Sequence, residues 1–317
     1  MSSAGGYFGL ELGNGYEYHK HAIRLNTGRN ALEYILISKK YRKIYLPYYT
    51  CDVLMEPVVK LGLTVAYYNI DEKLEPEFDY DVIGPDDVFL YTNYFGLKDV
   101  FIDTLCTKKV NIIIDNAQSF FSKPVTGIDT FYSARKFFGV PDGAYLYTSQ
   151  PVDIDFETDV SYRRFEHLLF SVDNSVESGY GKFTENEKLL SNNPIKLMSN
   201  LTYRILDSID YKNVAEKRRA NYLYLLNNLQ TENALNFPLP DTCIPLVYPF
   251  LTANENLREK LFSNRIYTAQ FWKNVFDVVS DASIEYYYAK NIIYLPVDQR
   301  LTMHNLDFII KIIKNEY

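Results

Sequence analysis

Hydrophobic and polar positions follow two different patterns along this chain. Between residues 28 and 150, short apolar runs rich in β-branched and aromatic residues alternate with stretches of helical spacing. This alternation is typical of βαβ units and of a largely parallel sheet. The predicted strands are residues 44–46, 64–67, 88–91, 110–115 and 144–148, and the predicted helices are residues 28–37, 53–61 and 102–106.

The pattern changes after residue 148. Residues 171–195 are polar and carry two glycines, which predicts a long exposed excursion that is either functional or mobile. Residues 195–229 have helical spacing and include a basic cluster at 217–219, which we interpret as a solvated helix face. A smaller α/β segment follows, with strands at 246–250 and 292–295 and helices at 255–262 and 305–315. We therefore expect a large domain in residues 1–200, and a linking helix with a small C-terminal domain in 201–317.

Composition excludes several classes of protein. With 47% hydrophobic and 23% charged residues, the chain can bury enough surface to fold. Its net charge of −7 argues against a nucleic-acid binder, which usually carries a basic surface. We find no apolar run of 18 residues and no signal peptide, so we expect a cytoplasmic protein that does not contact a membrane. The three cysteines and four histidines lack metal-ligand spacing, and no metal site is predicted.

Three local patterns could carry chemistry. The first is the stretch Thr27-Gly28-Arg29-Asn30, where a loop enters a helix. Free backbone N–H groups and the helix dipole at such a junction can hold a phosphate, and Gly28 allows close approach. The alternative is a purely structural loop-to-helix junction, which is a common feature.

The second pattern is Asp115, which ends the apolar run VNIIID. A carboxylate at the carboxyl end of a buried strand faces the crevice where ligands of such sheets bind. The alternative is a helix N-cap, which uses the same residue type.

The third pattern is Lys136, which lies between aromatic residues and a turn that contains glycine and proline. These neighbours are expected to desolvate the amine and to favour its nucleophilic form. The alternative is an ordinary exposed lysine. Together, a phosphate cup, a strand-end carboxylate and a lysine in a tight turn are the parts that hold pyridoxal phosphate.

With these parts in this order, the chain resembles the DegT-type sugar-nucleotide aminotransferases, which are pyridoxal-phosphate enzymes of fold type I. The resemblance covers most of the chain and depends on the following segments: NTGRNAL (26–32), LPYYTCDVLMEPVVKLGLTVAYYNID (46–71), NYFG (93–96), IIIDNAQSF (112–120), SARKFFGVPDGAYLYT (133–148), KRRANYLYLL (217–226) and IIYLPVDQR (292–300). It implies an α/β fold like that of aspartate aminotransferase, with a mostly parallel sheet in the large domain and a smaller C-terminal α/β domain.

The resemblance also implies roles for single residues. Lys136 matches the lysine that forms a Schiff base with the cofactor, and Asp115 matches the partner of the pyridine nitrogen. Gln118 matches the residue that contacts the ring hydroxyl. Phosphate contacts are implied for Gly28, Arg29 and Ser133, and Asn30 belongs to the same cofactor-binding stretch.

The chain departs from the family pattern at three places. Ser133 occupies the third position of a Ser-Phe-His motif, and Cys51 stands where an aromatic residue usually stacks on the cofactor ring. Tyr49 is a candidate to replace that aromatic. The Asn-Tyr-Arg-Met segment, which a partner subunit often contributes, has no clear counterpart in SNNPIKLMSN (191–200).

The activity implied is transfer of an amino group from an amino-acid donor, glutamate in this family, to a keto-sugar nucleotide, for surface polysaccharide or glycoconjugate biosynthesis. Two alternatives remain at this point: an enzyme of the same fold that acts on a non-sugar substrate, and a non-catalytic binding protein that retains the fold. We also expect a homodimer in which residues 171–195, or Arg29 and its neighbours, contact the cofactor site of the other subunit.

Overall fold

An eight-stranded mixed sheet organises the first half of the protein in the computed structural model, which describes residues 6–315. Its strands, in the spatial order β1-β8-β7-β6-β5-β2-β3-β4, are β1 (Ile23–Leu25), β2 (Lys43–Pro47), β3 (Thr64–Ile70), β4 (Pro76–Glu77), β5 (Asp87–Thr92), β6 (Ile112–Asn116), β7 (Asp129–Ser133) and β8 (Ala144–Tyr147). Strands β2, β3, β5, β6 and β7 run parallel. The prediction of a mostly parallel α/β sheet is confirmed.

The remaining elements are eleven helices and a two-stranded antiparallel sheet within the described residues. The small sheet pairs β9 (Val247–Leu251) with β10 (Ile292–Pro296). The helices are α1 (Gly28–Lys39), α2 (Met55–Lys60), α3 (Asp99–Leu105), α4 (Glu166–Asp173), α5 (Val176–Leu189), α6 (Asn200–Asp207), α7 (Tyr211–Leu229), α8 (Leu257–Ser263), α9 (Val275–Val278), α10 (Ile284–Asn291) and α11 (Met303–Lys314).

The polar segment 171–195, for which the sequence predicts a long exposed excursion, is mostly exposed but largely helical. It supplies the end of α4 and all of α5, two helices that pack on each other. The side-chain hydroxyl of Ser175 caps α5 by accepting from the N–H of Ser178. A capped helix tolerates the polar composition because most of its side chains face solvent.

Helix α1 is the element that positions the site. Thr27 caps it, since its side chain accepts from the backbone N–H of Asn30, and the helix ends at Lys40 in the left-handed conformation. Its apolar positions are buried against one face of the sheet, together with Ile113 of β6 and Phe131 of β7. The N-terminus of α1 therefore lies at the carboxyl edge of the parallel strands.

The opposite face of the sheet belongs to a larger hydrophobic core. This core continues from β5 and β6 into the C-terminal half, where it includes Tyr294 of β10 and Ile313 of α11. The two halves of the chain are therefore packed together through one apolar layer. The domain boundary expected between residues 200 and 201 stays a prediction. No helix in residues 6–315 is both long enough and apolar enough to cross a membrane.

His19 is a core residue whose protonation opposes folding. Its Nε2 lies 2.7 Å from the carbonyl of Phe120 and its Nδ1 lies 3.1 Å from the hydroxyl of Tyr147. Burial lowers the pKa of His19 from 6.5 to about 4, although the Phe120 carbonyl acts to raise it. The unfolded chain thus binds more protons, and stability falls as the pH drops from 6.5 to 4.

We expect His19 to account for about 3 kcal/mol of this acid destabilisation, the equivalent of its pKa shift. Urea unfolding between pH 7 and pH 4.5 measures the effect, and His19→Gln should flatten the dependence on pH. His21→Gln, a change at an exposed histidine, should leave it as in the native protein. An equal slope for native protein and His19→Gln would contradict the assignment.

Candidate active site

The carboxyl edge of the sheet brings the predicted residues together. The register places Asp115 of β6 beside Phe131 of β7. Because side chains alternate along a strand, Phe131 and Ser133 lie on one face of β7, the face that α1 covers. A Cβ built on Gly28 would lie 3.7 Å from the Phe131 ring. Gly28, Asp115 and Ser133 are therefore neighbours at the edge where ligands of open α/β sheets bind.

The N-terminus of α1 supplies free donors at this edge. The first N–H groups of a helix have no intrahelical acceptor, and here they belong to Gly28 and Arg29. The protein does not itself require glycine at position 28, since an added Cβ would make only ordinary contacts with Phe131. Because Gly28 has no Cβ, a ligand has room to approach the backbone at this position.

Asp115 is a buried carboxylate with 6% of its surface exposed. Its Oδ1 accepts from the N–H of Ala117 at 2.8 Å. Burial raises the pKa of Asp115 to about 6, while the positive charge of Lys136 and the Ala117 hydrogen bond act to lower it. A turn follows β6 rather than a helix, so the helix N-cap alternative is wrong.

The side-chain amide of Gln118 is hydrogen-bonded at its oxygen but not at its nitrogen. Its Oε1 accepts from the N–H of Phe95 at 2.9 Å, and Phe95 adopts a positive φ of 60° that directs this N–H toward the amide. The Nε2 of Gln118 is buried and has no hydrogen-bond partner among the described residues. A buried donor without an acceptor is costly, so this amide nitrogen is available to donate to a bound ligand.

Lys136 ends a short 3₁₀ turn, Ala134–Lys136, that directly follows β7. The lysine is exposed, so the expectation that its aromatic neighbours desolvate the amine is wrong. The rings of Phe137 and Phe138 turn inward to the core. The Nζ of Lys136 lies 5.9 Å from the centroid of the Phe271 ring, which the sequence did not connect with this site. An exposed amine near Asp115 is accessible to an incoming carbonyl group.

Arg29 and Asn30 are bound within their own chain. The Arg29 guanidinium forms an ion pair with Glu56 at 2.6 Å and donates to the Ser191 hydroxyl at 3.3 Å. The Asn30 side chain donates to the carbonyl of Asn193 at 3.0 Å. The segment after α5 thus contacts the predicted phosphate-binding stretch of its own chain, and the contact with a partner subunit predicted for it stays a prediction.

Tyr49 and Cys51 differ in exposure: Tyr49 is buried and Cys51 is partly exposed. Tyr49 has no exposed surface, and its hydroxyl pairs with that of Tyr294 at 2.7 Å. Its ring therefore packs in the core and has no face open to a ligand. Cys51 is partly exposed; burial raises the pKa of its thiol, although the charge of Lys136 acts to lower it. A cysteine near Lys136 thus occupies the position of the expected aromatic residue.

Arg218 and Gln299 are residues of this region that the sequence interpretation missed. The basic cluster at 217–219 was expected to be solvated, but Arg218 is only 2% exposed. Its guanidinium and the amide of Gln299 both donate to the carbonyl of Phe137, the residue after Lys136. A basic run on a helix gives no signal that distinguishes one buried arginine from its exposed neighbours.

Comparison with known proteins identifies the fold. No family profile matches the sequence, and no curated protein matches it. Among solved structures, Spr1654 from Streptococcus pneumoniae, which is named as a sugar aminotransferase, matches with a TM-score of 0.64 at 15% identity, over 93% of this chain and 85% of that chain. The sugar aminotransferase CalS13 from Micromonospora echinospora matches with a TM-score of 0.61 at 14% identity, over 93% and 87%.

A third match is a mutant of the dehydratase ColD with bound GDP-perosamine. Its TM-score is 0.63 at 13% identity, over 92% of this chain and 88% of that chain. Spr1654 has been solved in PLP and PMP forms. These likenesses establish that the chain has the fold of the sugar aminotransferases, and the predicted aspartate-aminotransferase-like fold is confirmed.

Proposed function

We propose that this protein, which has the fold of the sugar aminotransferases, is a pyridoxal-phosphate-dependent aminotransferase that converts a keto-sugar nucleotide to an amino sugar, with glutamate as the amino-group donor. The observation that carries the proposal is the group of Asp115, Gln118 and Lys136 at one sheet edge. All three keep the residue types that the resemblance requires.

The described residues fit the cofactor. The unpartnered Nε2 of Gln118 can donate to a ring hydroxyl, and Asp115 is a buried carboxylate that lacks a strong cationic partner of its own. The free N–H groups at Gly28 and Arg29, with Ser133 on the same face, suit a phosphate. Pyridoxal phosphate bound there supplies an electron sink for the carbon that loses or gains the amino group.

Each residue then has a distinct task. The exposed amine of Lys136 would hold the cofactor, and its Nζ would move a proton to and from the substrate carbon. Asp115 holds a proton on the pyridine nitrogen, because a buried carboxylate stabilises a cation in contact with it. Gln118 fixes the ring orientation through its amide. The N-terminus of α1 would hold the phosphate group through its free N–H groups.

A half-reaction tests the function. Protein loaded with pyridoxal phosphate is mixed with glutamate, and release of 2-oxoglutarate is followed by a coupled assay. The protein that has taken up the amino group of glutamate is then offered keto-sugar nucleotides, with simple keto acids as comparison. We expect one 2-oxoglutarate to be released for each loaded protein, and a keto-sugar nucleotide then to be aminated. Amination of keto acids alone would favour a non-sugar substrate, and failure to bind the cofactor would favour a non-catalytic protein.

We expect a homodimer in solution. The described part of the N-terminus presents Tyr7, Phe8 and Leu10 with 97%, 93% and 69% of their surfaces exposed. Apolar side chains grouped in this way usually contact a partner, and a second copy of the chain is the partner that the resemblance implies. Light scattering should give about twice 37.0 kDa. Replacement of Tyr7 and Phe8 by serine should weaken the dimer, and a native protein of 37.0 kDa would contradict the expectation.

Cytoplasmic localisation and a role in polysaccharide or glycoconjugate biosynthesis stay predictions. Measuring the amino-sugar content of surface polysaccharide in cells with and without the protein would test the biosynthetic role.

A further inference from the structure

Arg218 of α7 contacts three separate parts of the chain. Its Nε donates to Oε1 of Gln299 at 3.0 Å, and one Nη donates to the carbonyls of Pro245 and Leu246 at 3.2 Å each. The other Nη reaches the carbonyl of Phe137 at 3.4 Å, and the guanidinium carbon lies 4.5 Å from the centroid of the Phe137 ring. One side chain thus connects α7, the segment before β9 and the turn that carries Lys136.

Gln299 closes this arrangement. Its Nε2 donates to the carbonyl of Phe137 at 3.0 Å while its Oε1 accepts from Arg218. The Phe137 carbonyl therefore has two donors, which are themselves hydrogen-bonded to each other. Because Phe137 directly follows Lys136, these two hydrogen bonds anchor the backbone at the end of the 3₁₀ turn that carries the lysine.

The same arginine is linked to the other side of the site through the backbone. Leu246, whose carbonyl accepts from Arg218, donates its N–H to the carbonyl of Phe95 at 2.8 Å. The N–H of Phe95 in turn donates to Oε1 of Gln118 at 2.9 Å. A continuous series of hydrogen bonds therefore joins the Lys136 turn to the amide of Gln118.

The buried guanidinium of Arg218 is surrounded by neutral hydrogen-bond acceptors. Burial lowers the pKa of the Arg218 guanidinium to about 10, while the negative charge of Asp298 acts to raise it. The carboxylate of Asp298 itself is hydrogen-bonded to Arg300, so Arg218 is held by neutral oxygen atoms. An apolar side chain in its place would leave the carbonyls of Phe137, Pro245 and Leu246 without these donors. The planar fork of arginine is what allows several carbonyls to be fixed at set angles.

We propose that Arg218 is a positioning residue that, with Gln299, sets the direction of Lys136 and the placement of Gln118 toward the cofactor. This inference rests on the proposed function, since it assigns Lys136 the role of attaching the cofactor. The described contacts of Arg218 are all with residues of its own chain, so the role proposed for it is indirect.

Borohydride trapping tests the proposal without an activity assay. The rate at which pyridoxal phosphate becomes reducibly attached to Lys136 is measured in native protein, Arg218→Lys and Gln299→Leu. We expect attachment to be about 10- to 100-fold slower in both variants, since a displacement near 1 Å at a reacting group has effects of this size. The pH at which the visible absorbance of the attached cofactor titrates should also shift.

Arg219→Lys is the matched control. Arg219 lies next to Arg218 on α7 and also donates to carbonyls, but these belong to Pro240 and Cys243, away from the lysine turn. Pyridoxal phosphate should attach to Lys136 in Arg219→Lys at the same rate as in native protein. Native rates and an unshifted titration in Arg218→Lys and Gln299→Leu would overturn the positioning role while leaving the function intact. Absence of attachment in native protein would instead overturn the proposed function.

Discussion

Lys136→Ala is expected to lose the borohydride-reducible attachment of pyridoxal phosphate completely and to lose transamination by several orders of magnitude. The physical reason is that a methyl group can neither form a covalent bond with the cofactor nor carry a proton. The fold should be retained, because Lys136 is exposed and its described contact is a distant ring, that of Phe271. The free energy of unfolding should change by less than about 0.5 kcal/mol.

Mass spectrometry after borohydride treatment tests this prediction directly, since the reduced cofactor adds mass to the peptide that contains Lys136. Lys136→Arg separates charge from reactivity, because it keeps the cation but should still form no adduct. Lys109→Ala, a change at another exposed lysine at the opposite end of β6, should leave the adduct unchanged. Adduct formation at a different lysine in Lys136→Ala would show that the assignment is wrong.

Asp115→Asn is expected to lower transamination at least about a hundredfold while making the cofactor-free protein more stable. The loss of activity follows because a neutral amide no longer holds the proton on the pyridine nitrogen. The gain in stability follows from the pKa of Asp115, which lies near 6 in the folded protein and near 3.8 in the unfolded chain. The ionised carboxylate therefore destabilises the fold as the pH rises from 3.8 through 6.

Removing the carboxylate charge should raise the free energy of unfolding by up to about 3 kcal/mol at pH 8, with no gain at pH 3.5. Urea unfolding at both pH values measures the difference, and cofactor binding is measured in parallel. Asp155→Asn, a change at an exposed aspartate, should alter neither stability nor activity. Native activity in Asp115→Asn, or equal stability at pH 8, would count against a buried carboxylate that serves the cofactor.

The helices and strands that the sequence predicted well are those in which local chemistry is unambiguous. Helix α1 has a Thr cap and apolar residues at helical spacing, and β6 is a run of isoleucines. Strand β7 was not predicted because its sequence, DTFYS, mixes polar and aromatic residues, and it is a strand only because β6 and β8 supply partners on both sides. Helices α4 and α5 were missed because polar, glycine-containing segments also form loops.

The sequence by itself determined the parts of the site that depend on residue type and order. A strand-end carboxylate at Asp115, the amide of Gln118 and the lysine turn at Lys136 follow from local patterns and from the family resemblance. Asp115 and Lys136 were singled out from their side chains and their positions at the ends of elements, and the role of Gln118 was implied by the resemblance alone.

Only the tertiary structure decided how these parts are held and which neighbours they have. It placed Tyr49 in the core, paired Arg29 with Glu56, and buried Arg218 among carbonyls, all through contacts between residues far apart in the chain. Burial and hydrogen bonding depend on which elements meet, and a local pattern of residue types does not contain that information. The sequence therefore specified the residue types of the proposed reacting groups, and the packing of α7 and of the segment before β9 against the lysine turn determined their surroundings.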